Sequence, residues 1–421
     1  MARRGKLAFL LVALGVMGSM PAVAKALSPP VVTGAEVMAT TQFAMLRGKR
    51  VGLIANQTSL ASGEHVADLL QRAPGVTLAA ILAPEHGFRG KAEAGGRVGN
   101  AKDERTGALI LSLYGRSRKP TPAMLRGIDV LLFDVQDVGA RFYTYISTLG
   151  LAMQAAAAAG IPFIVLDRPN PLGGEYVSGF IRETSLTSFV GQYPIPIVHG
   201  LTVGEIAGMI KGEGWLDGLE HLDLKVVKIE GWQRSMRWPQ TQRIWVPTSP
   251  NIPSFESALL YPGIGIVGEL NVNEGRGTDQ PFRLVGAPWL NARRLATRLN
   301  GCGLAGVHFE ATRYRPVAIP GVATRPRFAG ESIGGVRLVV TDASRIEPLE
   351  VGVHVLAALA IEAGAAGRRR LVGNLAMFHA IAGSKRLYRL WQAGSDGASM
   401  VAAWRDEVAR FRTARAKYLL Y

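Results

Sequence analysis

A chain of 421 residues that is 48% hydrophobic and 19% charged is long enough for two or three domains and apolar enough to bury cores, which excludes global disorder. Its 50 glycines and 23 prolines follow no fixed period, so collagen-like and coiled-coil architectures are excluded. The single cysteine, Cys302, excludes a disulfide framework, a zinc ribbon and an iron-sulfur cluster, each of which needs several thiolates. The net charge is +16, part of it local: residues 366–421 hold 11 Lys or Arg against three acids. In that segment Val401, Trp404, Val408 and Phe411 follow helical spacing with Arg405, Arg412 and Arg415 off the stripe, the pattern of a packed helix with a solvated face. No reader motif or interleaved exposed aromatics accompany the basic stretches, so no nucleic acid is expected as a partner, and an anionic cell-wall substrate suits the charge better.

At the start of the chain Arg3, Arg4 and Lys6 precede the apolar run Leu7 to Met17, and Ala22-Val23-Ala24 supplies an A-x-A cleavage site. That is the pattern of a secretory signal peptide ending at Ala24 or Ala26. The run is short for a membrane span, and no cysteine near the cleavage site invites a lipoprotein anchor. The mature protein is expected to be exported, periplasmic or secreted, with no stable membrane span; Arg3-Arg4 leaves both general and twin-arginine export open.

From residue 50 onward, apolar runs alternate with helical patterns, as in a parallel sheet covered by helices. Strands are expected at 51–55, 76–82, 128–133 and 162–166, each a continuous apolar run as strands buried on both faces require. Helices fit Tyr143 to Ala159, stopped by Gly160, and Thr202 to Lys211, with Thr202 and Glu205 as a capping box. The polar segments Asn56-Gln57-Thr58, Pro84 to Gly90, Asp134 to Arg141 and Asp167 to Pro171 directly follow the four strands. In an open α/β sheet such loops converge on one crevice. No glycine-rich dinucleotide fingerprint or Walker loop follows a strand, so neither a nucleotide nor any other cofactor is expected.

Between Gln233 and Pro262 the periodicity lapses into Trp238-Pro239, Trp245-Val246-Pro247, Ser249-Pro250-Asn251-Ile252-Pro253 and Tyr261-Pro262, an ordered connector. Its two tryptophans offer either flat surfaces for a sugar or a plug at the domain junction. Helical stretches near 290–300, 349–363 and 397–414 then mix with strands near 304–311 and 334–341. The fold class is α/β: a signal peptide at 1–26, a Rossmann-like parallel-sheet domain at 27–232, the connector at 233–262, and a smaller α/β domain at 263–421.

The seven histidines form no His-Glu-x-x-His or other metal motif, so no metal site is expected, and no Gly-x-Ser-x-Gly elbow supports a serine hydrolase. His86 and His199 stand out because Gly and Pro flank them in loops. The carboxylates Glu85, Asp137, Asp167 and Glu274 are the richer set. Glu85 follows an apolar strand through Pro84, in surroundings that would raise its pKa and suit a general acid. Glu274 lies in Asn273-Glu274-Gly275-Arg276-Gly277-Thr278, which reads as a ligand-approaching loop or as an ion-paired turn. Asp137 and Arg141, four apart, either pair with each other or contact substrate.

Several of these strings resemble a known family: Pro84-Glu85-His86-Gly87-Phe88-Arg89-Gly90, Ser112-Leu113-Tyr114-Gly115, Asp134 to Tyr145, Leu166 to Gly174, Ser249-Pro250-Asn251 and Glu274 to Thr278 look like those of the NamZ-type exo-β-N-acetylmuramidases, formerly a domain of unknown function. The resemblance runs from about residue 36 to Tyr421. It departs at Val272-Asn273, where members often have Leu-Ser, and in the plain signal peptide, where some carry a lipoprotein one. It implies a Rossmann-like domain and a smaller second domain with the active-site cleft between them, and an exo-acting glycoside hydrolase that removes N-acetylmuramic acid from the non-reducing end of peptidoglycan-derived muropeptides and disaccharides. A non-catalytic muropeptide-binding protein is the alternative. Among the matching residues, Glu85 is expected as general acid, with His86 orienting it or the sugar and Glu274 as its ionised partner. Arg276, Arg141 and Arg168 are candidates for the lactyl carboxylate, and Asp137, Tyr143, Asp167, Asn170 and Asn251 for further substrate contacts. The 233–262 connector is the segment available to close one end of an exo pocket.

Overall fold

The computed structural model describes residues 29–88, 101–115 and 117–421. The expected leader at 1–26 lies outside them, as do Arg89 and Gly90 of the Pro84 to Gly90 motif.

Six parallel strands form the main sheet: β1 (Arg50–Ala55), β2 (Thr77–Ala83), β3 (Leu109–Ser112), β4 (Val130–Asp134), β5 (Phe163–Leu166) and β6 (Leu224–Val227). Their order is β3-β2-β1-β4-β5-β6, with the two-residue strand Ala101–Lys102 antiparallel at the β3 edge. This is the Rossmann arrangement, and the order reverses between β1 and β4. The register sets Ile54 beside both Leu82 and Phe133, so β1, β2 and β4 end level and their loops leave from one rim. The helix α1 (Tyr145–Ala159) ends at Gly160 in the left-handed region (φ 66°), and α2 (Val203–Gly212) begins with the reciprocal Thr202 and Glu205 caps.

The connector is shorter than its composition implies, because α3 (Phe255–Val267) starts inside it and takes in Tyr261 and Pro262. It holds Pro262 and two glycines, Gly263 and Gly265, yet this helix is buried on almost every side. Gly263 lies against Gly352, where a Cβ would come within 2.1 Å of Pro348 O and 2.9 Å of Gly352 Cα. Close backbone contact with a second helix outweighs local propensity here.

That second helix, α5 (Pro348–Leu371), belongs to the smaller α/β unit, whose sheet runs β7 (Leu284–Ala287), β9 (Ile333–Val340), β8 (Val307–Tyr314), all antiparallel, with α4 (Ala292–Asn300) packed on it. Pro348–Ala365 is long and apolar enough to cross a membrane by composition, and in this fold it packs along α3 as a mostly buried helix. The stripe expected at 397–414 is split into Gly397–Ala402 and Arg405–Arg415. Its Val401, Trp404, Val408 and Phe411 are buried as the spacing requires, but Arg415 is not on a solvated face. Its guanidinium is buried, donating to His199 O, Gly200 O and Gly174 O. One apolar cluster runs from Ile54 and Phe133 through α1 and α3 to Phe309, Leu338 and Trp391, so the two units share a core.

Candidate active site

A cavity of about 150 Å³ opens where the two units meet. The β2 exit supplies Glu85 and His86, the β4 exit Phe142, Tyr143 and Thr144, the connector Ser249, Asn251 and Ile252, α3 Tyr261, and the smaller unit Arg276 and Phe282; Val190 completes the wall.

Glu85 is held by the geometry around it. Gly87 N–H donates to Pro84 O at 3.0 Å, and His86 and Gly87 both adopt positive φ (70° and 76°), so the chain reverses directly after the carboxyl. A buried non-glycine residue in that region is strained and is held only by its surroundings. Thr144 Oγ1 donates to Glu85 Oε2 at 2.6 Å. The Tyr114 phenol, pushed up to about 12 by burial and then by the adjacent Glu85 carboxylate, also hydrogen-bonds Glu85. Opposite, Tyr261 meets Phe142, Tyr143 and Phe282 at centroid distances of 5.0, 5.7 and 4.8 Å, forming an aromatic wall. Tyr143 OH donates to Thr248 Oγ1 at 2.9 Å, and Asn251 Nδ2 to Val322 O at 2.7 Å.

Among the described residues, Arg276 is the arginine that lines this cavity. Its side chain is 38% exposed and pairs with Glu274, whose side chain is 4% exposed. Burial disfavours the Arg276 charge, but Glu274, with Tyr261 and Glu269 adding to it, outweighs burial and raises its pKa. Gly275 and Gly277, at φ 85° and 82°, turn the backbone on either side of Arg276, and a Cβ on Gly275 would lie 2.4 Å from Gln280 O. Asn273 braces the turn, accepting from Gly275 N at 2.8 Å and donating to Arg276 O at 3.0 Å. Glu274 therefore does not face the cavity as the expected ionised partner of Glu85; it lies behind Arg276 and fixes it.

The models of the exo-β-N-acetylmuramidase NamZ family match this chain in two parts, the N-terminal model over residues 51–256 and the C-terminal model over 259–421. The chain belongs to the NamZ family. It is 40% identical over 397 residues to the peptidoglycan β-N-acetylmuramidase NamZ of Bacillus subtilis (strain 168), covering 93% of this chain and 92% of that protein. Crystal structures of two DUF1343 family proteins from Bacteroides fragilis NCTC 9343 match its fold over 93% of this chain and 99% of each of theirs, with TM-scores of 0.85 and 0.76 at 39% and 32% identity.

Of the residues expected in this NamZ-family site, Glu85, His86, Tyr143, Asn251 and Arg276 line the cavity, whereas others stitch the rim together. Arg141 corrects its expectation most clearly. Fully buried, it pairs with no Asp137 and does not line this cavity; its guanidinium donates to Phe180 O, Ile195 O and Ile381 O. Arg168 makes a bidentate pair with Asp134 at 2.6 and 2.9 Å and borders a separate cavity of about 320 Å³ beneath Trp238, Arg243 and Val246. Asp167 accepts from Thr202 Oγ1, Gly204 N and Tyr421 OH, anchoring α2 and the chain's last residue; burial pushes it up to about 6. Asn170 bonds Leu201 O and Leu172 N and fills the space beside Gly139. Asp137 accepts from Gly139 N at 2.7 Å, and burial pushes it up to about 7 rather than an arginine holding it ionised. His199 is fully buried and driven down to about 3 by burial, then by Arg415 and Arg141. Trp238 and Trp245 pack edge-on against each other at 5.0 Å, as a junction plug rather than as open faces. Among the described residues no three His, Cys, Asp or Glu side chains converge as metal ligands.

Thr144, Tyr114, Tyr261 and Phe282 were not singled out in the sequence. Thr144 and Tyr114 lie within strings that match the family, which was the available signal; Tyr261 and Phe282 carried none, since one sits in an apparent loop and the other depends on a tertiary turn.

Proposed function

We propose that this chain is an exo-acting β-N-acetylmuramidase releasing N-acetylmuramic acid from the non-reducing end of peptidoglycan fragments. Its membership of the NamZ family supports the reaction, and one observation carries the residue roles: a rigidly held carboxyl, Glu85, and a guanidinium, Arg276, face the same small cavity. A cavity of about 150 Å³ suits one terminal sugar rather than a through-running glycan.

In this reading Glu85 is the general acid. It gives its proton to the glycosidic oxygen as the bond from that oxygen to the anomeric carbon breaks; water adds at the anomeric carbon and loses a proton to the surrounding water, from which Glu85 is reprotonated. Thr144 and Tyr114 hold the carboxyl in place, and His86 is set beside it by the turn. Arg276 grips the lactyl carboxylate that distinguishes muramic acid from glucosamine, a task for which a planar guanidinium fork is suited. Glu274 positions Arg276, and Tyr143, Tyr261, Phe142 and Phe282 exclude water and pack on the sugar. The leader pattern in the sequence supports an exported protein and, with it, a role in cell-wall turnover.

The test is hydrolysis of a chromogenic β-N-acetylmuramide beside the matching glucosaminide. Cleavage of the muramide alone is expected; equal rates on both would remove the role given to Arg276.

A further inference from the structure

Helix α1 braces more than the Glu85 carboxyl. Thr144, Ser147 and Gln154 fall at helical spacing on one side of it. Thr144 holds Glu85, Ser147 Oγ donates to Phe189 O at 2.7 Å, and Gln154 Oε1 accepts from Lys119 Nζ at 2.8 Å. Phe189 and Val190 are the central residues of a tight turn, closed by the Gly191 N–H donating to Ser188 O at 3.0 Å. Ser147 therefore fixes this turn, and Gln154 fixes the loop that carries Arg118.

The two residues of the turn do different things. Val190 lines the Glu85 cavity, whereas Phe189 does not. The half-buried Phe189 ring meets Tyr114 at 6.4 Å, and the Arg118 guanidinium lies over it with Cζ 4.3 Å from the ring centroid. Arg118 is exposed and pairs with no carboxylate among the described residues, so the aromatic ring rather than an ion pair places it. Tyr114 joins this platform to the acid: its phenol bonds Glu85, yet it too lies outside the cavity lining. Beside it Gly115, at φ 97°, leaves the surface open, since a Cβ there would meet nothing within 4 Å.

We propose that Phe189 and Arg118 receive the leaving-group sugar and that Arg118 donates to its acetamido carbonyl. The inference rests on the muramidase reading. The sugars on both sides of the breaking bond must approach the acid. The terminal one fills the small cavity; the other is attached through the oxygen that Glu85 protonates, so it lies against groups that adjoin Glu85 outside that cavity. Tyr114, Phe189 and Arg118 meet both conditions. In a glycan that begins with muramic acid, the next sugar is N-acetylglucosamine, a neutral ring with an apolar C–H face and one acetamido group. An aromatic ring packs on the first, and a guanidinium N–H bonds the carbonyl of the second.

The experiment compares wild type with Arg118→Met and Phe189→Leu on three β-N-acetylmuramides whose leaving groups are N-acetylglucosamine, glucose and methanol. Arg118 is exposed and leucine keeps most of the Phe189 volume, so unfolding midpoints near wild type are expected for both. Arg118→Met should raise KM about tenfold on the N-acetylglucosamine substrate and little on the glucose one, with kcat retained. Phe189→Leu should raise KM severalfold on both disaccharides. On the methyl muramide, whose leaving group is too short to reach the platform, both variants should match wild type. An unchanged KM on the N-acetylglucosamine substrate in both variants, or an equal rise on all three substrates, overturns the proposal. An Arg118→Met effect equal on the two disaccharides overturns the acetamido contact. A wild-type enzyme that cleaves none of the three would instead contradict the muramidase reading.

Discussion

Thr144 Oγ1 donates to Glu85 Oε2 over 2.6 Å, tying the end of β2 to the start of α1 across the β1 strand that separates β2 from β4. Because the donor sits at the N-terminus of a well-packed helix, it fixes the carboxyl that the proposed mechanism uses as general acid. Thr144→Val keeps the shape and removes the donor. It should lower kcat about tenfold and cost about 1 kcal/mol of stability, measured by steady-state kinetics and thermal unfolding.

Arg276→Met removes the cavity's arginine, and Glu274→Gln removes only what holds it. The first should raise KM for muramides about a hundredfold, the second less, both with modest effects on kcat. Kinetics that showed Glu274→Gln abolishing turnover at saturating substrate would return Glu274 to a direct chemical role.

Arg141 and Arg168 should behave as parts of the fold. Arg168→Met strands the fully buried Asp134 carboxylate, a change of about 3–5 kcal/mol, and Arg141→Met removes the side-chain donor from Phe180 O, Ile195 O and Ile381 O, leaving Ile195 O the Arg182 N–H. Unfolding midpoints should drop sharply in both, while the KM of whatever protein remains folded stays near wild type.

Most of the parallel sheet was legible because its strands are continuous apolar runs and its helix ends carry Gly160 and the Thr202–Glu205 box. Glu85, His86, Tyr143, Asn251 and Arg276 were legible as cavity residues through their motifs. The roles of Arg141, Arg168, Asp167 and Asn170 were not, since a conspicuous polar residue after a strand looks the same whether it meets substrate or stitches loops. Only burial and partners separate the two cases. The helix across Tyr261-Pro262 was hidden for another reason: its stability comes from α5, far away in sequence.

Asp137 provides a pH signature. Burial raises its pKa from 3.8 to about 7, so between these values the folded state holds a proton that the unfolded state has lost. Stability therefore falls as pH rises through that window and stays reduced above it. Asp137→Asn, which cannot ionise, should gain in melting temperature relative to wild type as pH rises from 5 to 8. A difference that stays flat over that range would show that Asp137 is ionised throughout.

The most direct measurement is the rate of Glu85→Gln on two muramides, the natural disaccharide and an aryl muramide whose leaving oxygen needs no proton. General acid catalysis by Glu85 predicts a loss of about 10²- to 10⁴-fold on the disaccharide and a much smaller loss on the aryl substrate. Near wild-type cleavage of the disaccharide by Glu85→Gln, or equal losses on both substrates, would contradict it.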